Sequence, residues 1–351
     1  MTNQMNNPTK VKRESKRRIR VEFDRTPLLE RLQSKFLSLY FLKKVVWWVF
    51  RFALLLGVSY VILFPFYSKI SSSFMSPEDF VDVTVRLIPK YPTLDIYKAI
   101  ILENGYLSAL LNTFVLSASC GLIQTFVCCL VGYGFAKFKF KFNSLLFLLV
   151  VFTMIVPHST LQLSMFMEFR YFDILGILNL LGGGVFDWLK VLENPNLNLI
   201  NTYWPLWIMS ATALAFKNGL YIFMMRQFFK GVPDELEESA YVDGAGVFRT
   251  FVQIILPLSV PMMITVFMFA FSWQWTDNFY TSLFYTTAGP TLMPDIVAIP
   301  MTLNITSAAA NMYNTAITNT CGILILLPLL LIYVFAQKYI IQGIERSGIT
   351  G

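Results

Sequence analysis

Apolar residues in this chain come in runs too long for the core of a water-soluble domain. Crossing a bilayer takes about 20 predominantly apolar residues. Six stretches reach or approach that length: Val45–Tyr67, Leu107–Phe135, Leu145–Leu163, Tyr203–Met225, Pro257–Trp275 and Ile317–Ala336. No internal repeat relates them. Within lipid a helix satisfies its own backbone hydrogen bonds, so such runs predict helices rather than open strands. The expected fold class is an all-α membrane protein with six transmembrane helices, occupying residues 45–351 as one membrane domain and preceded by a polar tail over residues 1–44.

Between the fourth and fifth runs stands a polar island, Val232 to Ala245. Pro233 suits the entry to a helix, where a missing amide proton costs nothing. Asp234 and Glu237 have the spacing of an acidic capping box. Asp243-Gly244 then closes the pattern, because glycine tolerates the left-handed turn that ends helices. A second helix is expected from near Ala245 toward Leu256, with Pro257 opening the next span. The pattern is a helix-turn-helix knuckle projecting from a membrane.

Composition and charge sharpen this picture. The chain is 56% hydrophobic and 14% charged, with a formal net charge of +7. Lys and Arg concentrate on the cytoplasmic side of membrane proteins. With both termini inside, twenty-one of the 28 Lys and Arg fall in cytoplasmic segments, and the knuckle faces the cytoplasm. The tail over residues 1–24 carries Lys10, Lys12, Arg13, Lys16, Arg17, Arg18 and Arg20 and is drawn to anionic lipid headgroups. Nothing aromatic interleaves with these charges before Phe23, so no nucleic-acid partner is expected. Thr26-Pro27 opens an amphipathic, interfacial helix. Outside the membrane, Ser76-Pro77-Glu78-Asp79 reads as a helix start. A glycine run at 182–184, followed by Phe186 and Trp188, reads as a short outer interfacial helix rather than a phosphate loop, since no Gly-Lys-Ser/Thr follows it.

The island also carries a resemblance. Glu238-Ser239-Ala240-Tyr241-Val242-Asp243-Gly244-Ala245 with Ile254-Ile255-Leu256-Pro257 resembles the EAA loop of ABC-importer permeases, E-A-A-x-x-D-G-A…I-x-L-P, with Ser239 in place of the first alanine. Met224-Met225-Arg226-Gln227-Phe228-Phe229 matches that family's L-R-Q-F-F, and Gly132–Ala136 is similar to its G-Y-A-x-A-R. Ser272–Phe279 resembles, imperfectly, the W-N-D-F of sugar-importer permeases. Gln337–Gly343 and Ser347–Gly351 are similar to the closing Q-R-Y…G-A-V-K-G, with Thr350 where Lys is usual. The resemblance covers about residues 45–351 and points to the maltose-type, carbohydrate-importing branch. It implies a cytoplasmic EAA coupling helix docked on an ATPase, with Glu238, Ala240, Asp243, Gly244 and Ala245 as the coupling residues. It also implies a second permease subunit, two cytoplasmic ATPase subunits, an extracytoplasmic solute-binding protein, and a sugar substrate. The runner-up readings are a permease for a non-sugar solute and an ion-coupled secondary transporter. The latter needs ionisable groups near the bilayer midplane, and no span buries a carboxylate convincingly.

The chain's own chemistry is sparse. Cys120, Cys128, Cys129 and Cys321 lie scattered in apolar spans and read as small core hydrophobes rather than metal ligands. His158, the one histidine, reads as a core or pore-lining residue. No catalytic residue, metal or cofactor is expected, and ATP hydrolysis is assigned to other subunits. For the substrate pathway the candidates are Trp273 and Asp277, which lie four apart and share a helix face, while Trp275 points elsewhere. An aromatic belt at the outer interface is the competing account of these tryptophans.

Overall fold

The computed structural model describes residues 39–173, 197–215, 217–286, 289–306 and 309–348. The basic tail, the interfacial helix expected after Pro27 and the outer segment around 182–190 lie outside the described residues. The chain divides into two compact units, Met1–Pro65 and Phe66–Gly351. In the first, the described residues are the leading part of helix α1 (Leu39–Ser72). From Leu42 to Pro65 its side chains are exposed on every face. A helix apolar all round requires lipid or other apolar helices around it.

The second unit is built on α3 (Tyr106–Lys137). A short outer helix, α2 (Asp95–Glu103), precedes it. After it come α4 (Asn143–Thr153), a 3₁₀ turn at His158–Leu161, α5 (Gln162–Arg170), α6 (Trp204–Ala211), α7 (Asn218–Lys230) and α8 (Glu235–Val242). The long α9 (Val247–Trp275) follows. The last two helices are α10 (Phe279–Phe284) and α11 (Ala310–Gly348). Helix α3 packs along α6, α7 and α9, and α9 packs in turn on α11. Among the described residues there is no strand, and one isolated bridge joins Phe172 to Leu197.

Four helices are long and apolar enough to cross a membrane, and a fifth span is possible if α4 and the His158–Arg170 segment, bent by 89°, are taken together. The bend follows from Pro157, which fixes its own φ and drives the preceding residue out of the helical region. The expected span over Tyr203–Met225 is divided between α6 and α7. Ala213 and Lys217 both take positive φ, 60° and 68°, and the Leu214 and Ala215 amides fold back onto the Met209 carbonyl at 2.9 Å each.

Two local expectations are revised. Ser76–Asp79 forms a turn rather than a helix start, because the buried Asp79 carboxylate accepts the amides of Ser76, Lys90 and Tyr91 and pins the outer loop upon itself. Likewise, the second helix of the knuckle does not stop before Pro257. It is the first part of α9 and continues through a π turn at Phe251–Ile255. That wider turn lies where the Pro257 ring would otherwise meet the carbonyl of Gln253.

The core under the knuckle is aromatic. Tyr133 meets Phe229 and Phe251 with ring centroids 5.4 and 4.8 Å apart. Cys128, Cys129, Met225 and Val266 fill the same cluster. The four cysteines are free and buried, packing as small apolar groups. A Cβ at Gly132 would stand 2.6 Å from Cβ of Met225, whereas one at Gly134 would meet nothing within 4 Å. Gly132→Ala is therefore expected to destabilise the purified chain by about 1–3 kcal/mol through overpacking. Gly134→Ala should instead be neutral or stabilising by up to about 1 kcal/mol from helix propensity. Thermal unfolding of the two variants in detergent tests this, and equal midpoints would show that α3 and α7 are not so closely packed.

Candidate functional site

Two features of the second unit bear on function: the knuckle and a cavity between the broken helices. At the knuckle, α8 ends in a Schellman closure. The Gly244 amide donates to the Tyr241 carbonyl at 3.0 Å and the Ala245 amide to the Ala240 carbonyl at 2.9 Å. Gly244 has φ of 81°. A left-handed residue at this step is what the closure requires, so the expectation for Asp243-Gly244 agrees with the structure.

The start of α8 differs from expectation. Asp234 makes no side-chain capping bond. Its carboxylate instead pairs with the Lys137 ammonium at 2.5 Å, while Lys137 also donates to the Val232 carbonyl at 2.7 Å. Glu237 does not reach back to cap. It is buried beside the Tyr133 hydroxyl. A strong cation in reach outcompetes a backbone amide for the Asp234 carboxylate, and that cation sits almost a hundred residues away in the chain.

Of the candidate coupling residues, Glu238, Asp243 and Gly244 are exposed, Ala245 is half-buried and Ala240 is buried against the closure. Sequence reasoning left out the apolar part of this surface. Val242 is 87% and Phe248 79% exposed, with Leu236 and Tyr241 beside them. The available signal was an apolar residue within a polar island, which gains nothing there unless something covers it.

The cavity has a volume of about 880 Å³ and lies where both broken helices open. Its wall includes Pro157, His158, Ser164, Glu168, Met209, Lys217 and Asn218. His158 shares a 2.7 Å hydrogen bond between Nδ1 and the Tyr280 hydroxyl. Lys217 Nζ stands 5.1 Å from the centroid of the Trp273 ring. Trp273 is thus exposed and close to a residue of the wall. Trp275 is 1% exposed and donates its indole N–H to the Ile325 carbonyl at 2.9 Å, tying α9 to α11. Asp277 accepts the Thr281 amide at 3.0 Å and so holds the first turn of α10, which carries Tyr280. Trp273 and Asp277 are brought to the same end of α9, but only Trp273 reaches the neighbourhood of the cavity directly. Lys217, Asn218 and Glu168 were missed as wall residues. The Asn218-Gly219 pair inside an apolar run was the overlooked turn signal.

Comparison with known proteins decides the class. A family model described as binding-protein-dependent transport system inner membrane component matches residues 129–346. The chain belongs to this family. It is 28% identical to an sn-glycerol-3-phosphate transport system permease protein, UgpE, of Yersinia pestis, over 84% of this chain and 94% of that protein. It is 25% identical to protein LplC of Bacillus subtilis, over 84% of this chain and 92% of the relative. In fold it is similar to a bacterial ABC transporter involved in import of the acidic polysaccharide alginate, with a TM-score of 0.60 and 16% identity, over 85% of this chain and 97% of that one. The chain is accordingly a multi-pass inner-membrane permease component, and the ATPase of such systems lies elsewhere.

The Lys137–Asp234 pair has a pH signature. Hydrogen bonding and charge from Lys137 hold the Asp234 carboxyl below its ordinary value. A depressed carboxyl contributes stability above the unfolded-state pKa and loses it as pH falls through the folded one. Acidification through the ordinary carboxylate range should therefore leave the knuckle in place, with release only at lower pH. Hydrogen exchange over residues 232–243 should accelerate in Lys137→Met already at neutral pH, while α3 stays protected. Unchanged exchange in that variant would mean the pair does not anchor the knuckle.

Proposed function

We propose that this chain is the permease subunit of an ATP-driven importer that moves a carbohydrate inward across the cytoplasmic membrane, through six spans and with both termini inside. The observation that carries the reading is the knuckle. A rigidly closed helix, with exposed carboxylates beside exposed apolar side chains, projects from a bundle whose broken helices enclose a cavity. Glu238, Ala240, Asp243, Gly244 and Ala245 shape this docking surface, and Leu236, Val242 and Phe248 supply apolar area for the ATPase. The carbohydrate reading is supported by the relatives, one named for glycerol phosphate transport and one similar fold for alginate import. It is also supported by the cavity, which combines polar groups with an aromatic face as saccharide sites do.

The geometry suggests how force travels. Closure of the ATPase subunits on ATP moves α8, and α8 leads within a few residues into α9. A helix of that length, with about 1.5 Å rise per residue, carries the displacement to Trp273 at its far end. Lys137 carries it in parallel from Asp234 into α3. A second permease subunit would complete the pathway, and an extracytoplasmic binding protein would deliver the solute. In this scheme Trp273 faces the pathway, and Asp277 acts through α10 and Tyr280 on His158.

Two experiments test the scheme. The purified chain should hydrolyse no ATP alone and should co-purify with an ATPase that does. Gly244→Val places a β-branched residue in the left-handed region at a cost of about 1–2 kcal/mol. A Cβ there meets nothing within 4 Å, so the defect is one of aim rather than packing. Normal membrane insertion with lost uptake and weakened ATPase retention is expected, and wild-type uptake would remove the coupling role.

For the pathway, Trp273→Ala should lower uptake in an assembled complex. Trp275→Phe, which loses one buried hydrogen bond worth about 1 kcal/mol, should transport almost normally. Full activity in both Trp273→Ala and Asp277→Ala would leave these residues as an interfacial aromatic belt and its cap.

A further inference from the structure

We propose that Glu237, at the base of the knuckle, is a positioning residue that passes displacement of α8 to α3 by closing a hydrogen bond with the Tyr133 hydroxyl. The inference rests on the importer reading and adds to it the contact through which the coupling helix acts. Three carboxylates stand in the first turn of α8, at Glu235, Glu237 and Glu238. Glu235 and Glu238 are exposed, as carboxylates ordinarily are. Glu237 is 8% exposed and shares the inward face of α8 with the buried Ala240. An apolar side chain would fill that space at less cost, because a buried carboxylate loses its hydration. Its burial calls for a polar partner.

The Tyr133 hydroxyl lies beside it, near enough to be affected by the Glu237 charge. Tyr133 is 4% exposed. Its ring is clamped by Phe138, Phe229 and Phe251, with centroids 5.4, 5.4 and 4.8 Å away, so the phenol has little freedom to turn elsewhere. Yet the Tyr133 hydroxyl and Glu237 Oε1 are both buried without a hydrogen-bond partner among the described residues. Buried polar groups left unmade are costly. A phenol donor and a carboxylate acceptor form a strong bond once aligned, so a small shift of α8 toward α3 removes the cost for both. Tyr241 also comes near this hydroxyl, but the carboxylate is the stronger acceptor. The pair thus favours a second position of the knuckle. Asp234 supplies the pivot, since its ion pair with Lys137 is already made.

Tyr133 stands next to the point where α3 is most tightly packed. A Cβ on Gly132 would lie 2.6 Å from Cβ of Met225, and Met225 belongs to α7. Helices in such close contact move together, because a close-packed interface has no slack to absorb a shift. One turn before Gly132, the Cys128 thiol meets the Asn218 carbonyl at the start of α7. That start lines the cavity. Movement received at Tyr133 is therefore delivered to the cavity wall.

The test uses the complex of this chain with the ATPase that co-purifies with it, reconstituted in lipid. Hydrogen exchange over residues 218–222 is compared without nucleotide and after trapping with ATP and vanadate. In wild type, trapping should change exchange at this start of α7. Tyr133→Phe removes only the hydroxyl and should retain the ATPase and hydrolyse ATP as wild type does, yet lose that change. Glu237→Leu should lose it too, whereas Glu237→Gln, which keeps an acceptor, and Tyr241→Phe should both preserve it. A full response in Tyr133→Phe, or failure of Glu237→Gln alongside Glu237→Leu, would overturn the inference. So would a response kept in Glu237→Leu but lost in Tyr241→Phe. Loss of the response together with loss of ATPase retention would also count against it, as the mark of a knuckle merely loosened. A wild-type complex that hydrolyses ATP with no change at residues 218–222 would overturn the inference and leave the importer reading intact. Absence of any co-purifying ATPase would remove the importer reading itself.

Discussion

Lipid offers no hydrogen bonds, so a backbone that leaves the helical path inside a membrane must find its partners within protein or a polar cavity. The rest of this fold depends on that constraint. The chain breaks α4 from α5 at Met154–Pro157 and α6 from α7 at Thr212–Lys217, and both breaks open on the same cavity. Neither break would survive on a lipid-facing surface. Together they bring His158, Glu168, Lys217 and Asn218, from three different elements, to one place.

Helix α3 is what makes the arrangement stiff. Its polar side chains reach both α6 and α7. Gln124 donates to Ser210 on α6, Ser119 accepts the Trp207 indole, and Cys128 meets the Asn218 carbonyl on α7. At the cytoplasmic end Lys137 holds Asp234, and at the outer end Thr113 accepts the Met293 amide. Such contacts are strong in a low-dielectric interior and costly to break singly. One helix thus connects the knuckle, the start of α7 and an outer loop.

The knuckle shows a division of labour that neither polarity nor burial alone would reveal. Ala240 and Ala245 are joined through the Schellman closure rather than exposed for docking, and Gly244 enables it. Small residues there let the turn close tightly. The surface left outside consists of carboxylates around the exposed Val242 and Phe248.

By itself the sequence determined the long apolar helices and the left-handed step at Gly244. These follow from local rules, namely the length needed to cross lipid and the steric freedom of one residue. It also predicted that Trp275 would turn away from Trp273, since helical period is local. The tertiary structure alone decided that Asp234 pairs with Lys137 instead of capping its own helix. It alone placed Glu237 beside Tyr133 and divided the run over Tyr203–Met225 at Lys217, where no proline marks the break. Those outcomes depend on partners far along the chain, and a cavity wall assembled from separate helices has no period from which it could be read.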